Sequence, residues 1–388
     1  MPSDLLLIAP HSGGHHGEHV RWLLKAAHQR GASVSLAAAP SLLDALRHDF
    51  DYVPDVAEVV ALRSTERAIG LTGLGAVRAA RAVLTEAVER ASAPHAFLTW
   101  MDQGIGALAT GFRPATQLSG LLFRLPFPES DPSTPSLRRL LKKALLRRAG
   151  VNPSLGTVFT LDPDGPEALS RLGVNGAYTP DPVEPVRPTA SRDDVRAAYG
   201  VEPGRRLGIL FGSLEIRKGP LALAAALHEL APEAARRLAV VVAGKTYDDI
   251  RPLLTAAFDR VRRETEVQLV FREGFVPDAA LADLTAAADV VLAPYLGHVG
   301  SSGVVVRAAA AGTPLIAQDA AQIGREVRRH RLGRTVDPAD ASALASALSA
   351  FVHDPTGHFD AAEAAAYADA HHVARFTDAI LNGLLGAP

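Results

Sequence analysis

The sequence has no cysteine among its 388 residues, which excludes disulfides, thiolate catalysis and cysteine-ligated metals. It also lacks an apolar run near the roughly 18 residues that a membrane-spanning helix needs. A large excess of either charge is missing too, because 40 basic and 42 acidic residues leave a formal net charge of −2. That balance argues against a dedicated nucleic-acid-binding protein. The first ten residues do not resemble a signal peptide, so the sequence predicts a cytoplasmic protein.

What is present indicates a folded protein, with 48% hydrophobic and 21% charged residues. The length exceeds what one core organises, so two domains are expected. Short apolar runs alternate with helical patterns, which is typical of parallel α/β sheets. A proline-rich segment at 179–188 separates two such series and predicts a linker. The predicted strands are 5–9, 33–37, 59–62, 95–100, 120–123 and 157–161 before it, and 207–211, 238–243, 267–271 and 290–293 after it.

The stretch at 290–317 has the strongest local pattern. A strand leads into a loop of small residues and then into an alanine-rich helix that ends at Gly312. Small side chains allow a ligand to approach the backbone N–H groups at the start of a helix, where the dipole favours an anion. The sequence therefore predicts a phosphate site in this loop. Its members are Gly300, Ser301, Ser302 and Gly303.

Several motifs in the second half occur in a recognisable order: GSLEIRKG at 212–219, EGFV at 273–276, LADLTAAAD at 281–289 and GTP at 312–314. This half resembles the carboxyl-terminal domain of GT-B glycosyltransferases of family 4. The first half adds a glycine pair in its first loop. The resemblance implies an α/β GT-B fold with two Rossmann-like domains that face each other across a cleft. Its expected parts are an acceptor-side domain at 1–183, a donor-side domain at 184–368, and a helix at 369–388 that crosses back to the first domain.

The resemblance also implies an activity. A protein of this kind transfers a hexosyl group from a nucleotide diphosphate sugar, linked to UDP or GDP, with retention of anomeric configuration. It needs neither a metal nor another cofactor. The acceptor stays open between a small molecule, a glycan and a lipid-linked compound.

Two basic residues are implied as donor ligands. Lys218 occupies the position of the family lysine that holds the diphosphate. Ser213 stands where an arginine is common in the family, so Arg217 is the candidate for the second cation. The remaining candidates for donor binding are Gly212, Gly274, Phe275, His298, Gly300, Ser301, Ser302, Gly303 and Val304.

The helix of the 290–317 stretch departs from the family pattern. Two glutamates are usual there, and counting back from Gly312 places Val299 and Arg307 at their positions. The guanidinium of Arg307 could face a phosphate, a carboxylate of an unusual donor, or solvent. The loss of both glutamates raises one alternative to a transferase, a non-catalytic homologue that binds nucleotide or partners an active transferase. A further alternative, which shares the two-domain architecture, is an enzyme like the UDP-sugar epimerases.

The first loop contains four histidines at positions 11, 15, 16 and 19. Their spacing is a weak signal for a metal, so a metal site is not expected. Gly13 and Gly14 are predicted to present backbone N–H groups to the diphosphate. His16 and His19 are candidate catalytic residues that touch donor or acceptor, or else polar loop residues. Asp102, at the end of the strand predicted at 95–100, is the third catalytic candidate.

A basic amphipathic pattern occupies 137–148, where leucines recur at helical spacing among six lysines and arginines. One interpretation is a surface helix that packs its leucines on the sheet. The other is a functional surface that makes a peripheral contact with an anionic membrane, such as the inner membrane, or receives an acidic acceptor.

Overall fold

A computed structural model of the chain describes residues 3–11, 16–48, 55–68, 73–127, 136–184 and 186–387. The chain divides into two compact units, Met1–Asp181 with Val373–Pro388, and Pro182–His372. The first division lies in the proline-rich segment, beside the expected end of the first domain at 183. The segment that returns to the first unit begins at Val373, where 369 was expected.

In the first unit, the described residues form one parallel sheet in the order β3-β2-β1-β4-β5-β6-β7. Continuous apolar runs form strands here because a parallel sheet is covered by helices on both faces. Leu6 and Ile8 of the first strand face one buried cluster, and Leu5 and Leu7 face another. The strands are β1 (Leu5–Ala9), β2 (Val34–Ala38), β3 (Glu58–Ala61), β4 (His95–Leu98), β5 (Gln117–Leu122), β6 (Leu155–Thr160) and β7 (Gly176–Tyr178).

Helices supply the two covering layers of this sheet. The last helix of the chain packs beside the first, where the guanidinium of Arg30 donates to Asp378 (2.6 Å) and Asn382 (2.7 Å). The helices of this unit are α1 (His16–Gln29), α2 (Pro40–His48), α3 (Gly73–Arg90), α4 (Met101–Ala109), α5 (Ser136–Gly150), α6 (Gly165–Ser170) and α16 (Val373–Leu385).

The second unit repeats the plan, with a parallel sheet in the order β10-β9-β8-β11-β12-β13. Its strands are β8 (Arg206–Phe211), β9 (Leu238–Gly244), β10 (Gln268–Glu273), β11 (Val290–Ala293), β12 (Leu315–Gln318) and β13 (Gly333–Val336). Its helices are α7 (Arg192–Ala198), α8 (Pro220–His228), α9 (Pro232–Arg236), α10 (Arg251–Glu264), α11 (Asp278–Ala287), α12 (Gly303–Ala310), α13 (Ala321–Arg329), α14 (Ala341–His353) and α15 (Ala361–Ala370).

One error in a predicted strand boundary changes the placement of a candidate site residue. The strand predicted at 95–100 ends at Leu98, and Asp102 lies in the first turn of α4 rather than at a strand end. The apolar, largely buried sequence from Met101 to Ala109 forms a helix directly after the strand. In the described part of the chain, no helix is both long and apolar enough to cross a bilayer.

Candidate functional site

The topology of the second unit has one switch point, between β8 and β11. From β8 the chain continues to β9 and β10 on one side, and then returns to place β11 on the other side. In open parallel sheets a ligand binds at such a point, in the crevice outside the carboxyl ends of the strands. The loops after β8 and β11 are therefore the first place to look for a site.

These two loops approach each other through their backbones. The loop after β8 makes a single 3₁₀ turn, Ile216–Lys218, and ends at Gly219 with a φ of 74°. A Cβ on Gly219 would lie 1.9 Å from the carbonyl oxygen of Pro294, so only glycine fits there. The N–H of Leu296 donates to the carbonyl of Arg217 at 2.8 Å. The contact fixes the position of both basic residues of the turn.

Lys218 points over an aromatic ring. Its ammonium nitrogen lies 4.0 Å from the ring centroid of Tyr295, which is 1% exposed. Such a contact attracts the cation to the ring face without neutralising it. Within the described ranges, Lys218 forms no salt bridge. Its positive charge is thus held in place and available to an anion.

Arg217 forms the centre of a second polar chain. Its guanidinium lies 3.3 Å from the carboxylate of Glu215 and 2.7 Å from Nδ1 of His298. Because arginine only donates, Nδ1 is the acceptor. The proton of the neutral imidazole then sits on Nε2, which donates to the carbonyl of Ser301 at 2.8 Å. Arg217 thereby orients the loop that precedes α12.

The small-residue loop leads into α12, whose N-cap is Ser302. The order of strand, loop and helix matches the prediction. A Cβ on Gly300 would meet nothing within 4 Å, and one on Gly303 would meet only Val183 at 3.8 Å. Because Gly300 and Gly303 have no side chains, a ligand can approach the N-terminal turn of the helix, which includes Val304. Here the helix dipole favours an anion.

A residue that the sequence did not single out supports this loop. The amide nitrogen of Gln318, at the end of β12, donates to the carbonyls of His298 (2.7 Å) and Ala320 (3.0 Å). Its Oε1 is buried and finds no hydrogen-bond partner among the described residues. Tyr295 was missed as well. Gln318 is the last residue of β12, and Tyr295 lies two residues after the end of β11. Their position at the end of an apolar strand was the sequence signal that could have identified both.

Glycines also end the strands on the other side of β8. Gly212 and Gly244 have positive φ values of 111° and 156°, and a Cβ on Gly244 would lie 1.8 Å from the carbonyl oxygen of Gly212. Gly274, with a φ of 138°, donates its N–H to Gly244 at 3.0 Å. After it comes Phe275, whose exposed fraction is 86%. An aromatic ring this exposed is available to stack on a flat ligand.

Arg307 is tied to a neighbouring helix. Its guanidinium lies 3.0 Å from the carboxylate of Asp278, the first residue of α11, and its own side chain is 24% exposed. The structure therefore places Arg307 in an ion pair at the surface of the same unit. This environment was not among the three considered from the sequence.

The candidates of the first unit have different surroundings. His19 is 3% exposed and packs against aromatic rings, with centroids 4.9 Å away in Phe376 and 5.9 Å away in Trp22. Asp102 accepts hydrogen bonds from the N–H of Phe123 (2.9 Å) and from Lys142 (3.0 Å). These are the contacts of residues that hold a fold together, and catalytic roles for both stay predictions.

The remaining candidates lie in the histidine loop. Gly13 and Gly14 fall outside the described residues, and for His16 only the backbone at the start of α1 is described. His11 is partly buried beside Trp100, 5.4 Å between ring centroids. Burial lowers its pKa, against an opposing hydrogen bond with Gln103. Among the side chains that the structure describes, no group of three or more could hold a metal ion.

Comparison with known proteins agrees with the motifs of the second half. Residues 205–354 match the family model described as Glycosyl transferases group 1. A phosphatidyl-myo-inositol mannosyltransferase of Mycobacterium leprae is 33% identical over 112 residues, which cover 28% of this chain and 30% of the relative. A D-inositol 3-phosphate glycosyltransferase of Rhodococcus erythropolis is 32% identical over 184 residues, which cover 46% and 40%. The chain thus spans less than half the length of these curated relatives.

Solved structures match over nearly the whole chain. Anabaena Alr3699/HepE in complex with UDP and glucose has a TM-score of 0.71 at 16% identity, covering 99% of this chain and 100% of that one. A trehalose 6-phosphate synthase of Burkholderia multivorans has a TM-score of 0.71 at 14% identity, covering 99% and 98%. These matches confirm the predicted GT-B fold class. With the family match, they confirm the resemblance to glycosyltransferases of group 1.

Proposed function

We propose that this protein is a retaining glycosyltransferase that moves a hexosyl group from a nucleotide diphosphate sugar to an acceptor without a metal. The observation that carries the proposal is the convergence of Lys218, Arg217 and the N-terminus of α12 at the switch point between β8 and β11. A diphosphate needs such a set of cations and backbone dipoles. The site lies within the segment that matches the family model.

Each part has a role in the proposed reaction. The bond between the anomeric carbon and the diphosphate oxygen breaks, and the acceptor oxygen forms a new bond to that carbon on the same face. The proton of the acceptor hydroxyl passes to the departing phosphate. Lys218 and the α12 N-terminus stabilise the charge that develops on the diphosphate. Phe275 stacks on the nucleotide base, and Arg217 keeps His298 and the small-residue loop in position.

Known relatives suggest which ligands to test first. HepE is described in complex with UDP and glucose, and a trehalose-phosphate synthase from Burkholderia vietnamiensis is described as UDP-forming. We therefore place UDP-linked hexoses before GDP-linked hexoses as donors. The curated relatives act on inositol compounds by their names, so inositol phosphates are the first acceptors for a trial.

Calorimetric titration of the full chain with UDP, GDP and their hexose derivatives tests the donor site. We expect saturable binding that Lys218→Ala weakens by about 30-fold, since a charge-assisted contact to phosphate is lost. Arg236→Ala, which removes an exposed cation on α9 of the same unit, is the matched control and should leave the affinity unchanged. Absence of binding by every nucleotide would refute the proposal.

A second function follows from the residues at the positions of the family glutamates. Val299 cannot act as a carboxylate, and Arg307 is engaged by Asp278. These features favour a non-catalytic homologue that binds a nucleotide sugar or partners an active transferase. Release of UDP or GDP from a bound donor separates the two functions, because a transferase turns its donor over and a binding protein only retains it. An epimerase would instead convert the donor without any acceptor.

A further inference from the structure

Helix α5 lies in the first unit and carries an unusual surface. Its sequence, SLRRLLKKALLRRAG, contains six lysines and arginines and no acidic residue. The proposed donor site does not involve this helix. A surface helix that packs its leucines on the sheet would explain the apolar positions, and that explanation can be checked against their burial.

The leucines of the first half of α5 do not pack on the sheet. The exposed fractions are 78% for Leu137, 64% for Leu140 and 62% for Leu141. Spacings of three and four residues place them on one face of the helix. Further along, Leu146 and Ala149 are fully buried in the core. The helix is therefore anchored by its second half and presents an apolar face with its first.

Two of the basic residues are used to fix the helix. Lys142 donates to Asp102 at 3.0 Å, and Arg148 donates to the carbonyl of Ala109 at 2.7 Å. Arg138 and Arg147 are exposed, and the ammonium of Lys143 lies 4.9 Å from the ring centroid of Phe127. The exposed leucines are thus bordered by positive charge along a helix that is itself held firmly.

The long helix α10 of the second unit shows how a basic surface helix is otherwise built. Its Arg260 pairs with Glu264 at 2.9 Å, and its Arg262 pairs with Asp259 at 2.8 Å, both within the helix. Its one strongly exposed leucine is Leu253, at 53%. In α10 two of the four arginines pair with acids of the helix itself, whereas α5 has no acid of its own to pair with its cations.

We propose that α5 docks on the surface of an anionic lipid bilayer. The exposed leucines enter the boundary between headgroups and acyl chains, and the basic residues contact lipid phosphates and other anionic headgroups. A bilayer accounts for both properties of the surface at once. A nucleic acid would use the positive charge and would leave three large leucines in water.

Sedimentation of the full chain with vesicles tests the proposal without any nucleotide or acceptor. We expect binding to vesicles of phosphatidylcholine with about 30 mol% phosphatidylglycerol, which have a strongly negative surface potential, and little binding to pure phosphatidylcholine. Binding should weaken as salt is raised. Failure of this test leaves the donor site unaffected, because the donor titration does not involve lipid.

Two triple variants separate the two properties. Removing charge with Arg138→Gln, Lys143→Gln and Arg147→Gln should weaken vesicle binding by about 100-fold, since each cation near an anionic surface contributes about fivefold. Removing the apolar face with Leu137→Ser, Leu140→Ser and Leu141→Ser should weaken it by at least about tenfold. All six positions belong to the same helix, α5. Thermal unfolding verifies that both variants fold.

The matched control is on α10, where Leu253→Ser with Arg260→Gln and Arg263→Gln should leave vesicle binding unchanged. Two outcomes overturn the proposal. The first is equal binding to anionic and neutral vesicles, or to neither. The second is a loss of binding in the charge variant with none in the leucine variant, which would assign α5 to an acidic macromolecule in place of a bilayer.

Discussion

The two units share one architecture, yet their strand ends are used differently. In the second unit, glycines and cations follow β8 and β11, and the backbones of the two loops meet at Gly219. In the first unit, His19 is enclosed by aromatic rings and Asp102 is bound by Lys142 and a backbone N–H. The polar residues of the second unit are those that we propose to bind a ligand, whereas the described polar residues of the first unit make contacts that stabilise the fold.

The difference has a physical origin in the connections. After β4 the chain enters α4 almost at once, so Asp102 falls in a helical turn, where Lys142 of α5 binds its carboxylate. After β8 a longer loop intervenes, with positive φ values at Gly212 and Gly219. Those values let the backbone turn back toward the neighbouring loop while Lys218 stays extended over Tyr295. A polar residue at a strand end is thus a ligand candidate only when the following loop leaves it uncommitted.

The largest expected effect comes from filling the contact between the two loops of the second unit. In Gly219→Ala the new methyl group would overlap the carbonyl oxygen of Pro294, and alanine would also be strained at a φ of 74°. We expect the free energy of unfolding to fall by about 3 kcal/mol or more, and nucleotide affinity to be lost. Urea unfolding and calorimetric titration measure the two quantities.

Gly200→Ala is the matched control for this substitution. Gly200 has a similar φ of 69°, but its added Cβ would meet nothing within 4 Å. Only the strain of the left-handed conformation remains, at about 1 kcal/mol, and nucleotide affinity should not change. Equal losses in both variants would show that the approach of the two loops does not shape the site.

His19→Ala tests the first unit's side of the comparison. The substitution removes a buried ring from contact with Phe376 and Trp22, so we expect a loss of about 2 to 3 kcal/mol in the free energy of unfolding. Donor affinity should stay at the wild-type value, in contrast to Lys218→Ala. His28→Ala, at an exposed position on the same helix, should change neither quantity measurably. A folded His19→Ala protein with weakened donor binding would restore His19 as a ligand.

Sequence patterns predicted the strands that matter most for the site. The predicted limits of β1 and β11 agree with the structure, because unbroken apolar runs of this length specify buried strands. β7, β12 and β13 were not predicted. β7 has three residues and β13 is only partly buried, so neither has a distinctive apolar pattern, and β12 is a buried run of only four residues directly after Pro314. Likewise, the helical stripe on α5 could not indicate which leucines face solvent, since that depends on where the rest of the unit packs.

The composition of the candidate site was predictable where a motif fixed it, as for Lys218, Arg217 and the loop at 300–303. The contributions of Tyr295 and Gln318 depend on tertiary contacts, a ring under an ammonium group and an amide that bridges two carbonyls. No local pattern encodes these contacts. The ion-pair partner of Arg307 could not be predicted from the sequence either, because Asp278 lies on another helix, 29 positions earlier.

The smallest expected effect concerns Arg307 on α12. Substitution of this residue tests whether the proposed donor site extends along that helix. Its pair with Asp278 is partly exposed, so Arg307→Gln should lower the free energy of unfolding by only about 0.5 kcal/mol. Donor affinity should change by less than about twofold, because Asp278 already occupies the guanidinium. Asp278→Asn is the control that removes the partner and keeps the arginine, and titration with the preferred nucleotide measures both variants. If Arg307→Gln weakened donor binding tenfold while Asp278→Asn strengthened it, the arginine would be a donor ligand restrained by its acidic neighbour.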